Sequence, residues 1–269
     1  MIILKLGGSI ITNKDSKEPL CNYNNLNRLV NEIKEVLDHN PQEKLIVIHG
    51  AGSFGHTFAK KYDIGTSFND RNDFINKRKG FSITNNWTKK LNSYVCDAFI
   101  ESNIPVIGVQ PSSVFITENK RIIQANIDLI KKYLDLGLVP VLYGDVVLDL
   151  NERVNLVVIS GDQIINYLAQ ELHFDKVILG TDVDGVYNKN PKTSPDARLI
   201  NRVSSLNDLD SQDSTTNIDV TGGMVGKIKE LLSLAELGIT SQIINANKPN
   251  LMKKALFGDE TIGTIIKIN

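Results

Sequence analysis

The sequence is poor in cysteine: two in 269 residues, Cys21 and Cys96. Two cysteines cannot build a disulfide framework, and neither stands in a C-x-x-C or Cys/His cluster that would hold zinc. Both are expected to be reduced and structural. No apolar run approaches the roughly 20 residues of a membrane-spanning helix, and the apolar start reads as a core strand rather than a signal peptide. The expected location is therefore the cytoplasm, with no membrane partner. Net charge is also nearly absent, because 30 Lys and Arg face 31 Asp and Glu. Global charge thus gives no case for nucleic acid as a partner. The GxxxxGK[ST] loop and the HRD and DFG patterns are missing too, which excludes the two common phosphotransferase architectures. No internal repeat or low-complexity linker divides the chain.

What is present suits a globular protein: 41% hydrophobic and 23% charged residues, enough for one large α/β unit with a substantial core. Apolar runs at 2–6, 44–49, 104–109, 138–143 and 176–180 read as buried strands. Those at 146–150 and 154–159, joined by the polar Asn151-Glu152-Arg153, read as a hairpin. Helical spacing marks 24–40, about 52–62, 77–102, 127–136, 163–172, 223–237 and 249–257, and 241–244 and 264–268 close the set as strands. Segment 63–76 is polar and reads as a loop, and 188–213, with Pro191 and Pro195, as a long surface excursion.

The chemistry gathers at glycine turns. The first strand carries Lys5, stops at Gly7-Gly8-Ser9, and is followed by Lys14. Successive N–H groups in such a turn form a concavity that accepts phosphate oxygens, and the lysines supply charge. The second strand ends in Gly50-Ala51-Gly52-Ser53-Phe54-Gly55-His56. A helix starting at Gly52 or Ser53 would carry His56 one turn in, at the strand end where α/β sheets place ligands. His49 reads as a satisfied core histidine, and His39 and His173 as helix-end histidines. Ser160-Gly161-Asp162 opens another helix, with Ser160 as N-cap and Asp162 either capping or functional. Thr181 to Tyr187 delivers Asp182, Asp184, Gly185 and Tyr187 at the end of a later strand. Gly222-Gly223 opens a third glycine-rich helix entry, with Lys227 one turn in. Three such turns with lysines and acids beside them are most economically explained by nucleotide phosphates, since phosphoryl transfer needs mainly positioning and charge neutralisation.

These segments together resemble the amino acid kinase superfamily: KLGGS at 5–9, HGAGSFGH at 49–56, SGD at 160–162, TDVDGVY at 181–187 and DVTGGM at 219–224 with Lys227. The likeness spans nearly the whole chain. GSFGH, with VIGVQPSS at 106–113 and YGDV at 143–146, is similar to the isopentenyl phosphate kinase branch. The resemblance implies a three-layer α/β/α sandwich with a mainly parallel central sheet. It implies a single domain over 1–269, with about 1–172 as the acceptor-binding lobe and 173–269 as the nucleotide-binding lobe. It implies transfer of the γ-phosphoryl group of ATP, with Mg²⁺, to an isoprenoid monophosphate, by a homodimer. By position, Lys5, Lys14, His56 and Asp162 would be catalytic, His56 bonding the acceptor phosphate and the lysines neutralising the phosphoryl group in transfer. Lys5, Leu6, Gly7, Gly8, Ser9, Gly52, Asp182, Asp184, Gly185, Tyr187, Gly222, Gly223 and Lys227 would hold ATP. Ala51, Gly52, His56 and Gly161 would hold the acceptor, and no residue is assigned as a metal ligand. Ala51 stands where many relatives have glycine, which its methyl group tolerates only at negative φ. The apolar tail of the acceptor is expected toward the 77–102 helix, near Phe81 and Trp87.

Two rivals stay open from the residues alone. One is another small-molecule kinase of the superfamily, acting on a phosphonate or an amino acid. A carboxylate acceptor would recruit clustered arginines, whereas Arg71, Arg78 and Arg121 are scattered. The other is a non-catalytic nucleotide-binding protein on the same fold, against which the lysines and acids together argue.

Overall fold

The computed structural model describes residues 1–13, 18–191, 193–209 and 222–268. Its first half runs β1 (Ile2–Leu6), α1 (Gly8–Ile11), α2 (Tyr23–His39), β2 (Leu45–His49), α3 (Gly52–Lys61), α4 (Arg71–Glu101), β3 (Val106–Gly108), β4 (Phe115–Glu118), β5 (Arg121–Ala125), α5 (Ile127–Asp135) and β6 (Val139–Tyr143). It continues through β7 (Asp145–Leu148), β8 (Leu156–Ile159), α6 (Gly161–Leu172), β9 (Lys176–Thr181), β10 (Val186–Tyr187), β11 (Leu199–Ile200), β12 (Arg202–Val203), α7 (Gly222–Ala235), β13 (Thr240–Asn245), α8 (Leu251–Leu256) and β14 (Thr264–Ile266).

Eight strands form one sheet in the order β12-β14-β13-β9-β1-β2-β6-β3. All its pairings are parallel except β13 with β14. The residues of β1 are buried on both faces, as an apolar run interrupted only by Lys5 requires. Their alternation divides the core in two. Ile3 packs with Ile46, Ile164, Leu168 and Ile228 under α6 and α7, and Leu4 packs with Leu29, Val30, Leu91 and Met252 under α2, α4 and α8. The molecule is thus the expected α/β/α sandwich.

Local signals and structure part company in a few places. The long helix begins at Arg71 rather than Lys77, because Asp70 caps it by accepting from Asn72 and Asp73 N–H at 2.8 and 2.9 Å. The surface excursion after Tyr187 contains two short strands, and β12 joins the sheet edge beside β14. The β4–β5 hairpin has no counterpart among the elements expected from the sequence. The β7–β8 hairpin forms as expected. Among the described residues no helix is long and apolar enough to cross a membrane.

Candidate active site

Parallel strands end at one edge of the sheet, so the turns after β1, β2 and β9 converge there. They enclose a cavity of about 710 Å³. Gly7, Gly8 and Ser9 line it from the first turn, Ala51, Gly52 and His56 from the second, Gly161 and Asp162 from the start of α6, and Asp182, Gly185 and Tyr187 from beyond β9. Lys5 and Lys227 complete the charged wall. The first two turns touch backbone to backbone: a Cβ on Gly8 would stand 2.5 Å from the Gly52 nitrogen. Only glycine permits that approach.

Lys5 shares the face of β1 that α6 covers, which brings its ammonium to Asp162 in the first turn of that helix. Lys5 Nζ donates to Asp162 Oδ1 at 2.5 Å, and Lys227 Nζ lies 3.5 Å from Oδ2. Lys5 is only 6% exposed. Burial lowers its pKa and Lys227 adds to that, with the Asp162 charge offsetting only part. Burial pushes Asp162 upward, but the two ammonium groups outweigh it and hold the carboxyl below its ordinary value. Ser160 is the N-cap of α6, accepting from the Gln163 N–H at 3.2 Å. Asp162 is thereby left to hold two cations at the cavity wall.

In the turn after β2, α3 starts at Gly52 with φ +51°, and its second turn carries His56 to the cavity wall. Withdrawal from bulk water, with Lys227 and Lys5 close by, lowers the His56 pKa, so the ring is neutral at pH 7. Ala51 has φ −70°, the condition its methyl group needs. His49 is fully buried and stacks on Tyr143. It is a core histidine, as expected.

Other expected site residues lie elsewhere. The Leu6 side chain is buried in the core, and its carbonyl accepts from the Gly50 N–H at 2.9 Å. Asp184 is off the cavity wall, ion-paired to Lys248 at 2.6 Å and bonded by Asn245 and the Tyr187 hydroxyl at 2.9 and 3.2 Å. Gly222 and Gly223 open α7, the helix that carries Met224 and Lys227 to the cavity. Lys14 lies outside the described residues, as do Asp219 to Thr221. No described residue of α4 lines the cavity. Trp87 stacks on Phe58 and meets Phe54 edge-on. Residues not anticipated on the wall include Thr12, Ser53, Gly144 and Lys189. Ser53 and Gly144 stand inside segments already read as motifs, but Thr12 and Lys189 carry no such signal.

Among the described residues no three His, Cys, Asp or Glu side chains cluster as a metal cage. Among the described residues Asp162 and Asp182 are the carboxylates on the wall, too few to hold a divalent cation without oxygens from a ligand.

Residues 1–245 match the sequence model of the amino acid kinase family. The chain is 53% identical over 266 residues to the isopentenyl phosphate kinase of Methanothermobacter thermautotrophicus, covering 99% of this chain and 98% of that protein. The chain belongs to the amino acid kinase family, in its isopentenyl phosphate kinase branch. The isopentenyl phosphate kinase of Methanocaldococcus jannaschii is 38% identical over 265 residues, 96% of each chain. A crystal structure of an isopentenyl phosphate kinase superimposes with a TM-score of 0.88 at 49% identity, over 98% of this chain and 99% of that one. For a kinase of this family, a cavity walled by glycine turns and lysines is the place to receive a phosphate donor.

Proposed function

We propose that this protein transfers the γ-phosphoryl group of ATP directly to the phosphate of isopentenyl phosphate, giving isopentenyl diphosphate and ADP. The observation that carries the reading is the cation-rich wall: Lys5 and Lys227 meet on Asp162 in the same cavity that the glycine turn bearing His56 lines. The acceptor is itself an anion, so no strong general base is required. Its approach to the γ-phosphoryl group demands charge neutralisation, which two lysines sharing one carboxylate are equipped to give. Neutral His56 donates one N–H to the acceptor phosphate, and Ala51 and Gly161 offer backbone N–H groups beside it. The Gly7–Ser9 turn takes the phosphoryl group in transfer. Mg²⁺ bound to the ATP phosphates would offset their charge, and Asp182, the wall carboxylate outside the lysine pair, would be the residue to help hold it. Lys14 joins the transferring lysines by the family resemblance, as do Leu6, Asp184, Gly222 and Gly223 on the nucleotide side.

In this reading residues up to about 172 form the acceptor lobe and 173–269 the nucleotide lobe, and the enzyme works as a homodimer in the cytoplasm. Light scattering tests the dimer. ADP release with Mg²⁺, comparing isopentenyl phosphate with fosfomycin, acetylglutamate and UMP, tests the activity. Strong preference for isopentenyl phosphate is expected, and turnover of another acceptor alone would move the substrate elsewhere in the family.

A further inference from the structure

The two glycine turns meet, and one side chain joins them. Thr12 stands just beyond α1 and is 2% exposed. Its hydroxyl donates to the Gly8 carbonyl at 2.7 Å and accepts from the Ser53 N–H at 3.2 Å. Gly8 belongs to the turn after β1, Ser53 to the first turn of α3. The contact continues through the side chain: a Cβ on Gly52 would lie 2.3 Å from Thr12 Oγ1 and 2.7 Å from its methyl carbon. Both the hydroxyl and the methyl group of Thr12 therefore seat the start of α3. The hydroxyl hydrogen already goes to a backbone carbonyl, so it is not available to a ligand.

We infer that Thr12 is a positioning residue that sets the spacing between the donor-phosphate turn and the acceptor-phosphate turn. The inference rests on the proposed function, in which Gly7–Ser9 takes the phosphoryl group in transfer and Ala51, Gly52 and His56 take the acceptor. In-line transfer is steep in distance, because reacting atoms must lie about 3–3.5 Å apart and a misplacement near 1 Å costs about 10²-fold. A bridge that accepts from one turn and donates to the other holds that distance without touching either substrate. Valine in its place puts a methyl group where the hydroxyl stood. A carbon approaches a carbonyl oxygen only to about 3.3 Å or more, so the Thr12 side chain must move off Gly8 and disturb its seat against Gly52 and Ser53. The Ser53 N–H loses its acceptor as well.

The test compares wild type, Thr12→Val and Thr12→Ser, reading kcat, both KM values, the ADP released per diphosphate formed, and the melting temperature. Thr12→Val is expected to lose about 10- to 100-fold in kcat, with KM values near wild type and more ADP released than product made, as water replaces a misaligned acceptor. Thr12→Ser, which keeps the hydroxyl, is expected to recover most of the rate and the one-to-one stoichiometry. A valine variant with wild-type kcat and stoichiometry overturns the inference, and so does a serine variant as impaired as valine. If Thr12→Val does not fold, Thr12→Ala takes its place: the same losses are expected, and wild-type kcat and stoichiometry in the alanine variant overturn the inference. The series is run with whichever acceptor the wild type turns over, so failure of isopentenyl phosphate as substrate sinks the proposed function alone.

Discussion

Two largely buried carboxylates in this molecule each gather cations or N–H groups from distant parts of the chain, and they do opposite things with them. Glu32, in α2 and 5% exposed, pairs with Arg28 and accepts from the Asn250 and Lys253 N–H groups at the start of α8, at 3.0 and 3.2 Å. Arg28 in turn donates to Asn25 and to the Ala246 carbonyl. Every charge there is matched inside the protein, so the cluster ties α2 to α8 and offers nothing to a ligand. Asp162 faces two lysines and an open cavity. Those lysines are cations on the wall of a low-dielectric cleft, where they favour an incoming anion. Near-burial and ion pairing are common to both sites, and the open wall separates structure from function.

Removing a cation from the open site tests this contrast hardest. Lys5→Met should lower kcat by about 10³-fold, roughly 4 kcal/mol of transition-state stabilisation, with the fold intact by circular dichroism. A variant that melts early but turns over normally per folded molecule would make the Asp162 cluster a second Glu32. The balanced site should respond the other way. Glu32→Ala leaves Arg28 and two helix N–H groups without their acceptor, so urea unfolding should show a loss of about 3 kcal/mol with kcat unchanged at 25 °C. Next comes the cavity's histidine. His56→Ala should reduce acceptor phosphorylation by about 10²-fold while calorimetry still finds ATP bound with wild-type affinity. Equal losses in both would move His56 from the acceptor to the nucleotide.

The sequence tells much about the open site and little about what holds it. Lys5 is legible because a charge inside an apolar strand demands a partner, and the turns are legible because glycine clusters mark strand ends. His56 follows from the helix that must begin there. Glu32 gives no such signal, since its partners at Asn250 and Lys253 stand more than 200 residues away in the chain. Thr12 is silent for the same reason: its role exists only once the turns after β1 and β2 lie side by side. The β4–β5 hairpin turns through Asn119 and Lys120, both at positive φ without a glycine, and Asp149 holds their N–H groups at 3.0 and 2.7 Å from another hairpin. Asp184 shows a further limit: a motif acid at a strand end reads as a ligand contact, and the sequence does not show that Lys248, Asn245 and Tyr187 also bond its oxygens.

The smallest effect concerns the two histidines seven residues apart on one strand–turn–helix segment. His49 Nδ1–H donates to the Gly50 carbonyl at 3.0 Å and Nε2 accepts from the Asn92 amide at 3.3 Å. This neutral ring is fully partnered, and a second proton would set N–H against N–H. Burial accordingly lowers its pKa from 6.5 to about 4, the Gly50 bond opposing only in part. Between those values the unfolded chain binds a proton that the folded one refuses. Stability is therefore fully present above 6.5 and falls as pH drops toward 4. From 6.5 to roughly 5.5 the loss is about 1 kcal/mol. His56, also lowered, adds in the same direction. His49→Phe keeps a ring against Tyr143 and cannot be protonated, so the difference between its urea midpoints and those of wild type across this pH range isolates the buried ring. A variant whose midpoint falls as steeply as wild type would assign the whole slope to other groups, His56 first, and make the cavity histidine the dominant acid-sensitive group of the pair.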